Sequence, residues 1–323
     1  MRGGLTTCYP DSPRQAESGR TLSFHYQVDS CMAELLAQNK RRQLSILAAG
    51  GALWLTFFLL SQDPGQVFKN YGHFFFLGLI GAIIANSTGA GGGIVFIPAF
   101  SALGLSPVQA LATSIGIQCL GMTAGSLSWL NAASTSSPAD GDHQRLIKHV
   151  LVFGGIPAIT GILCGQYLLP TPPFSINAIF SVFSIIFGIA LLLISYVRPD
   201  FGAIRTRLTA TDRLLLMVTS CIGGAVTSWI SIGVGEWLAL TMFLRGYPPL
   251  TAVSVAVCVS SITVLTAAPF HLAAGHMIFD IILFAGPAAI IGGSIARHLS
   301  RALGPEKLKV YFGIWILITG ILG

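Results

Sequence analysis

Residues 80–98 read IGAIIANSTGAGGGIVFIP, an apolar run that is interrupted by four glycines within positions 89–93. Glycine costs about 1 kcal/mol relative to alanine in a helix interior, so this cluster predicts a broken helix. Inside lipid, the backbone groups that a break frees need partners, so the break must be buried in protein or line a wet cavity. The apolar segment around it, residues 74–103, is too long for one membrane crossing and too short for two.

The whole chain has the composition of a membrane protein. Of its 323 residues, 53% are hydrophobic and 9% are charged, and the mean hydropathy is +0.74. An ordinary soluble domain carries about 25% charged residues. The composition therefore predicts an all-α polytopic membrane protein embedded in a lipid bilayer. It excludes a nucleic-acid partner despite the net charge of +6, because the basic residues are scattered between apolar runs. Six cysteines, mostly in apolar stretches, exclude a disulfide scaffold.

Continuous apolar runs, without the alternation of outer-membrane strands, indicate membrane helices. Residues 1–42 are polar and predict a cytoplasmic tail, and residues 43–62 predict an extra transmembrane helix. The apolar segments lie near 44–61, 74–103, 108–130, 147–169, 174–197, 214–245, 250–272, 277–296 and 308–323.

A second long segment, residues 214–245, has its own interruption, which reads SIGVGE at 231–236. A shift of 142 residues aligns the two long segments without a gap. The alignment predicts an internal duplication, with residues 74–197 and 214–323 as homologous halves and 198–213 as a cytoplasmic linker. Seven positions are identical, five of them glycine or proline: Ile80/Ile222, Gly81/Gly223, Gly91/Gly233, Gly93/Gly235, Gly104/Gly246, Pro107/Pro249 and Ala110/Ala252.

The distribution of Lys and Arg indicates how the halves are oriented, since cytoplasmic loops carry the excess of positive charge. If each long segment is a re-entrant hairpin, only Lys69 of the 18 basic residues falls outside. If each crosses once, seven fall outside. The hairpin arrangement makes the second half an inverted repeat of the first, as in many transporters with broken helices. A kinked single crossing stays open as the alternative.

The two interruptions and the residues after them resemble the signature of the TauE/SafE sulfite exporter family. The resemblance covers about residues 74–323 and implies a multi-pass permease of the bacterial inner membrane that exports sulfite or organosulfonates. One departure is Val255-Ala256, where the first copy has Thr113-Ser114, so the two half-sites are not chemically equivalent. The matching runs are GAGGGIVFIP at 89–98, GLSP at 104–107, ALATS at 110–114, GVGE at 233–236, RGYPP at 245–249 and AVS at 252–254.

A small oxyanion needs hydrogen-bond donors, and no Lys or Arg lies deep in the apolar segments. Helices that restart near Ile94 and Trp237 would point free N–H groups and the positive end of their dipoles at the breaks. The alternative is that the glycines only permit close helix packing, and that Asn86 and Gln118 have a structural role. The predicted substrate-binding set is Asn86, Ser87, Thr88, Gly89, Gly91, Gly92, Gly93, Thr113, Ser114, Gln118, Ser228, Ser231, Gly233 and Gly235.

Glu236 is an acidic residue inside an apolar run, and such residues are functional hypotheses by default. We expect it to carry a coupling proton; the alternative is a helix-start carboxylate that satisfies free amides. We expect His271 and His276 to lie at the wet outer surface and not to form a metal site. No sequence pattern indicates a cofactor or a catalytic residue, which disfavours an intramembrane hydrolase. Two alternative functions remain, an anion channel and an uptake carrier for another small anion. The sequence also allows a homodimer.

Overall fold

The structure is a computed structural model that describes residues 50–52, 54–56, 58–59, 63–135, 141–197 and 205–322. The predicted tail at 1–42 lies outside the described residues. The chain divides into two units, residues 1–64 and 65–323. In the first unit the described positions between 50 and 59 are helical, and the rings of Trp54 and Phe58 stack with centroids 5.7 Å apart. The described part of the predicted extra helix at 43–62 is therefore helical.

The described residues of the second unit form helices joined by short connections, without a strand among them. A π-helical turn, Cys164–Leu168, directly follows the helix Gly141–Leu163. The helices are α1 (Pro64–Tyr71), α2 (Phe74–Thr88), α3 (Gly93–Ala102), α4 (Pro107–Thr135), α5 (Gly141–Leu163), α6 (Ile176–Val197), α7 (Ala210–Ile230), α8 (Val234–Leu244), α9 (Pro249–Ala273), α10 (Phe279–Leu303) and α11 (Pro305–Leu322).

Six described helices are long and apolar enough to cross a membrane, namely α4, α5, α6, α7, α9 and α10. A seventh span results if α1 and α2, which meet at an angle of 48°, count as one. The prediction of an all-helical, multi-pass protein is confirmed. Helix α11 does not qualify, because Glu306, Lys307 and Lys309 lie in its first two turns. Helices α3 and α8, with 10 and 11 residues, are too short.

Both short helices fold back along the helix that precedes them. The ring of Phe100 near the end of α3 lies 6.0 Å from the ring of Phe74 at the start of α2. Likewise the hydroxyl of Thr241 near the end of α8 lies 3.4 Å from that of Thr219 on α7. Each pair is thus an antiparallel hairpin whose tip is the glycine-containing break. How the hairpins lie relative to a bilayer stays a prediction, since protein contacts carry no information about lipid.

Helices of the two sequence halves pack in matching pairs. Helix α2 packs against α10 and its counterpart α7 against α5, while α6 packs against α11. At the centre, α4 and α9 run antiparallel, with the Thr123 hydroxyl 3.1 Å from that of Ser261. These two have the largest buried shares among the candidate spans, 67% and 78%. The centre of the bundle is therefore formed by one helix from each half.

The two breaks touch each other in a reciprocal way. A Cβ atom added to Gly93 would lie 2.6 Å from the carbonyl oxygen of Ser231, and one added to Gly235 would lie 2.3 Å from that of Gly89. The 142-residue shift maps Gly89 onto Ser231 and Gly93 onto Gly235. Exchanging the halves therefore reproduces the contact, as in a two-fold interface. The internal duplication stays a prediction. Two duplicated halves related by a two-fold axis would make this reciprocal contact.

Candidate functional site

The junction of the two breaks begins where α2 and α7 end. Gly89, the residue after α2, has φ 84°, and Ser231, the residue after α7, has φ 59°. Ser231 is the one non-glycine residue with positive φ among those described. Such a conformation is uncommon for a residue with a Cβ, so it needs support from its surroundings. The support comes from side chains of α4, which hold the Ser231 hydroxyl.

Glu236 joins the two breaks through its carboxylate. The Gly91 N–H donates to Oε1 over 2.7 Å and the Gly233 N–H donates to Oε2 over 2.8 Å. Gly91 and Gly233 correspond under the 142-residue shift, so one carboxylate binds the same amide of each half. The side chain is fully buried, at 0% exposure. Both oxygens of the group therefore act as acceptors, one for each break.

Gln118 on α4 joins the breaks a second time. Its Oε1 accepts from the Gly92 N–H over 2.7 Å, and its Nε2 donates to the Ser231 hydroxyl, also over 2.7 Å. Nε2 also donates to the Ser114 hydroxyl over 3.0 Å, and the two hydroxyls lie 3.0 Å apart. The three side chains are buried. They form a closed polar network around the tip of the second hairpin.

The predicted free amides of the breaks already have partners within the protein. Gly91 and Gly233 donate to Glu236, Gly92 donates to Gln118, and Val234 donates to the Thr227 hydroxyl over 3.1 Å. The physical reason is burial, since a buried N–H without a partner costs about 1–3 kcal/mol. The glycine pattern located these donors, whereas their acceptors on distant helices follow only from the packing of the helices.

Several residues of the predicted set bond elsewhere. The Thr113 hydroxyl accepts a hydrogen bond from the Ile278 N–H, outside the junction. Thr113 therefore does not face the breaks as its neighbour Ser114 does. Asn86 donates to Ala82 on its own helix. The hydroxyls of Ser87, Thr88 and Ser228 donate to carbonyls of the preceding turn, as serine and threonine in membrane helices often do.

Ser260 on α9 is a candidate that the sequence analysis missed. Its hydroxyl is buried and has no hydrogen-bond partner among the described residues. It lies against the second break, because a Cβ at Gly235 would be 2.5 Å from its Oγ. Ser260 is the counterpart of Gln118 under the 142-residue shift. Applying the shift to each predicted residue would have identified it.

A charged cluster at the open end of the second hairpin was also missed. The buried carboxylate of Asp212 accepts from the Arg245 guanidinium over 2.5 Å and from the Tyr247 hydroxyl over 2.7 Å. Asp212 also caps α7 with Thr209. Burial, followed by the bond to Asp212, raises the pKa of the Tyr247 phenol, which therefore keeps its proton. The RGYPP motif thus ties the end of α8 to the start of α7.

Of the two histidines that the sequence places at a wet surface, His271 is buried and His276 is half-buried. His271 is only 3% exposed, because α9 ends against neighbouring helices, so a wet position is wrong for it. Its ring lies 6.2 Å from that of His276. Within the described ranges, no group of three or more His, Cys, Asp or Glu side chains is arranged to hold a metal ion.

Comparison with known proteins agrees with this architecture. The chain is similar to the probable membrane transporter protein YunE of Bacillus subtilis, with 23% identity over 76% of this chain and 93% of that protein. No solved structure matches the chain. The model of the sulfite exporter TauE/SafE family matches residues 74–322, which include both hairpins. These comparisons point to a multi-pass membrane transporter rather than an enzyme, and the chain belongs to the TauE/SafE sulfite exporter family.

Proposed function

We propose that this protein is a secondary transporter of the bacterial inner membrane that exports a small sulfur oxyanion or organosulfonate, such as sulfite or sulfoacetate. Membership of the sulfite exporter family supports this substrate class. The observation that carries the proposal is the convergence of the Gly91 and Gly233 amides on one carboxylate. An anion at that position takes one N–H donor from each half.

Backbone donors suit an anion that crosses lipid. The first N–H groups of a helix carry a partial positive charge, which stabilises an anion without placing a permanent cation in the membrane. Of α2, α3, α4, α7, α8 and α9, only α7 contains Lys or Arg, and its Arg213 lies in the first turn. The amides and hydroxyls of the junction are therefore the donors available to a substrate there.

The contacts narrow the proposed binding set. We assign substrate binding to the donors that meet at the junction and leave out residues that bond elsewhere, such as Thr113 and Ser228. Ser260 is added because its buried hydroxyl lies against the second break and has no partner within the described part of the chain. The proposed set is Gly91, Gly92, Ser114, Gln118, Ser231, Gly233 and Ser260.

Flux measurements in proteoliposomes test the proposal. Vesicles are loaded with sulfite, sulfate, thiosulfate, sulfoacetate or, as a control, acetate, and efflux is followed with and without an imposed pH gradient. We expect one of the sulfur anions to move faster than acetate and to accumulate against its gradient when protons drive it. Equal rates for all anions would overturn the substrate class. Flux that never exceeds equilibrium would indicate a channel instead.

We propose Glu236 as the group that couples transport to protons, since it is the buried acid at the junction. Glu236→Gln keeps the shape of the side chain and mimics the protonated acid. The variant should still exchange anion between the two sides of a vesicle but lose its response to a pH gradient. A Glu236→Gln protein that responds to pH as the unmodified one does would place the coupling group elsewhere.

A further inference from the structure

We infer that the Glu236 carboxylate is a tethered anion, which occupies the position of the substrate in this conformation and must leave before the substrate binds. The inference rests on the proposed function and concerns how access to the same site is controlled. Glu236 then acts as a gate, and not only as a proton carrier or a helix cap.

The Glu236 carboxyl group contacts the two halves symmetrically. A carboxylate that merely capped α8 would need only the amides of its own hairpin, such as that of Gly233. Instead the second oxygen reaches across to Gly91, which is 145 residues away in the sequence. The first break has Ile94 at the position that corresponds to Glu236, so the duplicated turn does not itself require an acid. One anionic group therefore bridges the halves, as a bound oxyanion would.

The Glu236 carboxylate and a transported anion would compete for the same backbone donors. The amides of Gly91 and Gly233 each have one proton to donate, and Glu236 accepts both. No Lys, Arg or His is bonded to Glu236 among the residues that the structure describes. The carboxylate is thus held by backbone dipoles alone. A second negative charge at this buried position would be repelled.

The hydroxyl of Ser260 is a hydrogen-bond donor near the breaks that the carboxylate leaves unused. The Ser260 hydroxyl is buried beside Gly235, and no described residue is its hydrogen-bond partner. A carboxylate has two oxygens, whereas sulfite and sulfonates have three. We assign Ser260 to the third oxygen of the transported anion. The site is then fully used only by an oxyanion with three oxygens.

Protonation provides a way to open this gate. The neutral carboxyl group has one strong acceptor oxygen, so it holds one amide well and releases the other. The other ionisable side chains on the adjoining helices are the thiols of Cys119, Cys221 and Cys258 and the His271 imidazole, together with Asp212, Arg213 and Arg245 near the open end of the second hairpin. Asp212 and Arg245 pair with each other. Neutralising Glu236 should therefore increase anion affinity.

Binding of sulfite, with sulfate as a second probe, tests the competition directly in purified full-length protein. Glu236→Gln should bind either anion about tenfold more tightly than the unmodified chain at neutral pH. Its affinity for sulfate, which keeps the same charge across this pH range, should not change with pH. Ser260→Ala should weaken binding of sulfite and leave that of a two-oxygen carboxylate unchanged. Weaker sulfite binding by a folded Glu236→Gln protein would overturn the inference. So would an affinity of the unmodified chain for sulfate that does not rise as the pH falls.

Thiol labelling in the absence of substrate distinguishes a failure of this inference from a failure of the proposed function. Ala90 lies in the first break and is 1% exposed, so Ala90→Cys should react slowly with a small thiol reagent. Adding Glu236→Gln should accelerate labelling about tenfold, while Glu236→Asp, which keeps the charge, should not. Faster labelling without binding of any sulfur anion would keep the gate and reject the proposed substrate. Unchanged labelling together with normal sulfite transport would reject the gate and keep the proposed function.

Discussion

Gln118 and Ser231 are 113 residues apart in the sequence, yet the Gln118 side-chain amide donates to the Ser231 hydroxyl over 2.7 Å. The same glutamine accepts from Gly92, so a single side chain on α4 binds the tips of both hairpins. Because all three groups are buried, none of them can exchange its partner for bulk water. The relative position of the two breaks is therefore set by a few hydrogen bonds.

Gln118→Ala should destabilise the protein by about 1–3 kcal/mol, because it leaves the Gly92 N–H and the Ser231 hydroxyl without their partner. The change is measured as a lower thermal midpoint of the detergent-solubilised protein. Gln109→Ala is the matched control, since Gln109 is exposed on the same helix and bonds only to Ser106 among the described contacts. Equal midpoints for the two variants would contradict the role of Gln118 at the junction.

Gly93→Ala and Gly235→Ala should each lower stability and transport to a similar extent. Each added Cβ would press on a backbone carbonyl of the opposite break, at 2.6 and 2.3 Å. Gly155→Ala serves as control, because its Cβ would meet only Ile262, at 3.9 Å. Unfolding in denaturant and flux in vesicles measure the effects. If the alanine at Gly93 or Gly235 behaved like that at Gly155, the tight contact between the breaks would be refuted.

Asp212→Asn should destabilise the second hairpin more than Arg205→Ala does. The buried Asp212 carboxylate holds both Arg245 and Tyr247, whereas Arg205 is 41% exposed and 3.6 Å from that carboxylate. Breaking a buried charged network typically costs about 3–5 kcal/mol, against about 0–1 for an exposed pair. Denaturant titration followed by tryptophan fluorescence measures both. Equal losses would show that burial of the cluster does not matter.

Residues 131–148 and 198–213 should face the cytoplasm, as the distribution of Lys and Arg indicates. In intact cells, a membrane-impermeant thiol reagent should label Asn70→Cys and fail to label Arg205→Cys. Permeabilising the cells should expose position 205 and so control for a buried thiol. Strong labelling at 205 in intact cells, with position 70 silent, would reverse this topology.

The sequence by itself determined the membrane setting, the helical class and the positions of the two breaks. These properties follow from local composition, since apolar runs require lipid and a glycine cluster interrupts a helix regardless of the rest of the chain. The 142-residue shift also pairs Gly91 with Gly233 from the sequence alone. A resemblance carried by the same motifs indicated the family, which the comparison confirmed.

Only the tertiary structure decided which side chains face the breaks. Thr113 and Ser114 are neighbours in the sequence, but one bonds to Ile278 and the other to Ser231. Spacing along one helix predicts which residues share a face, but not which helix packs there. The partner of Gly91 is 145 residues away. That contact exists because burial requires every N–H group to find an acceptor, and the packing of the two halves determines which acceptor is within reach.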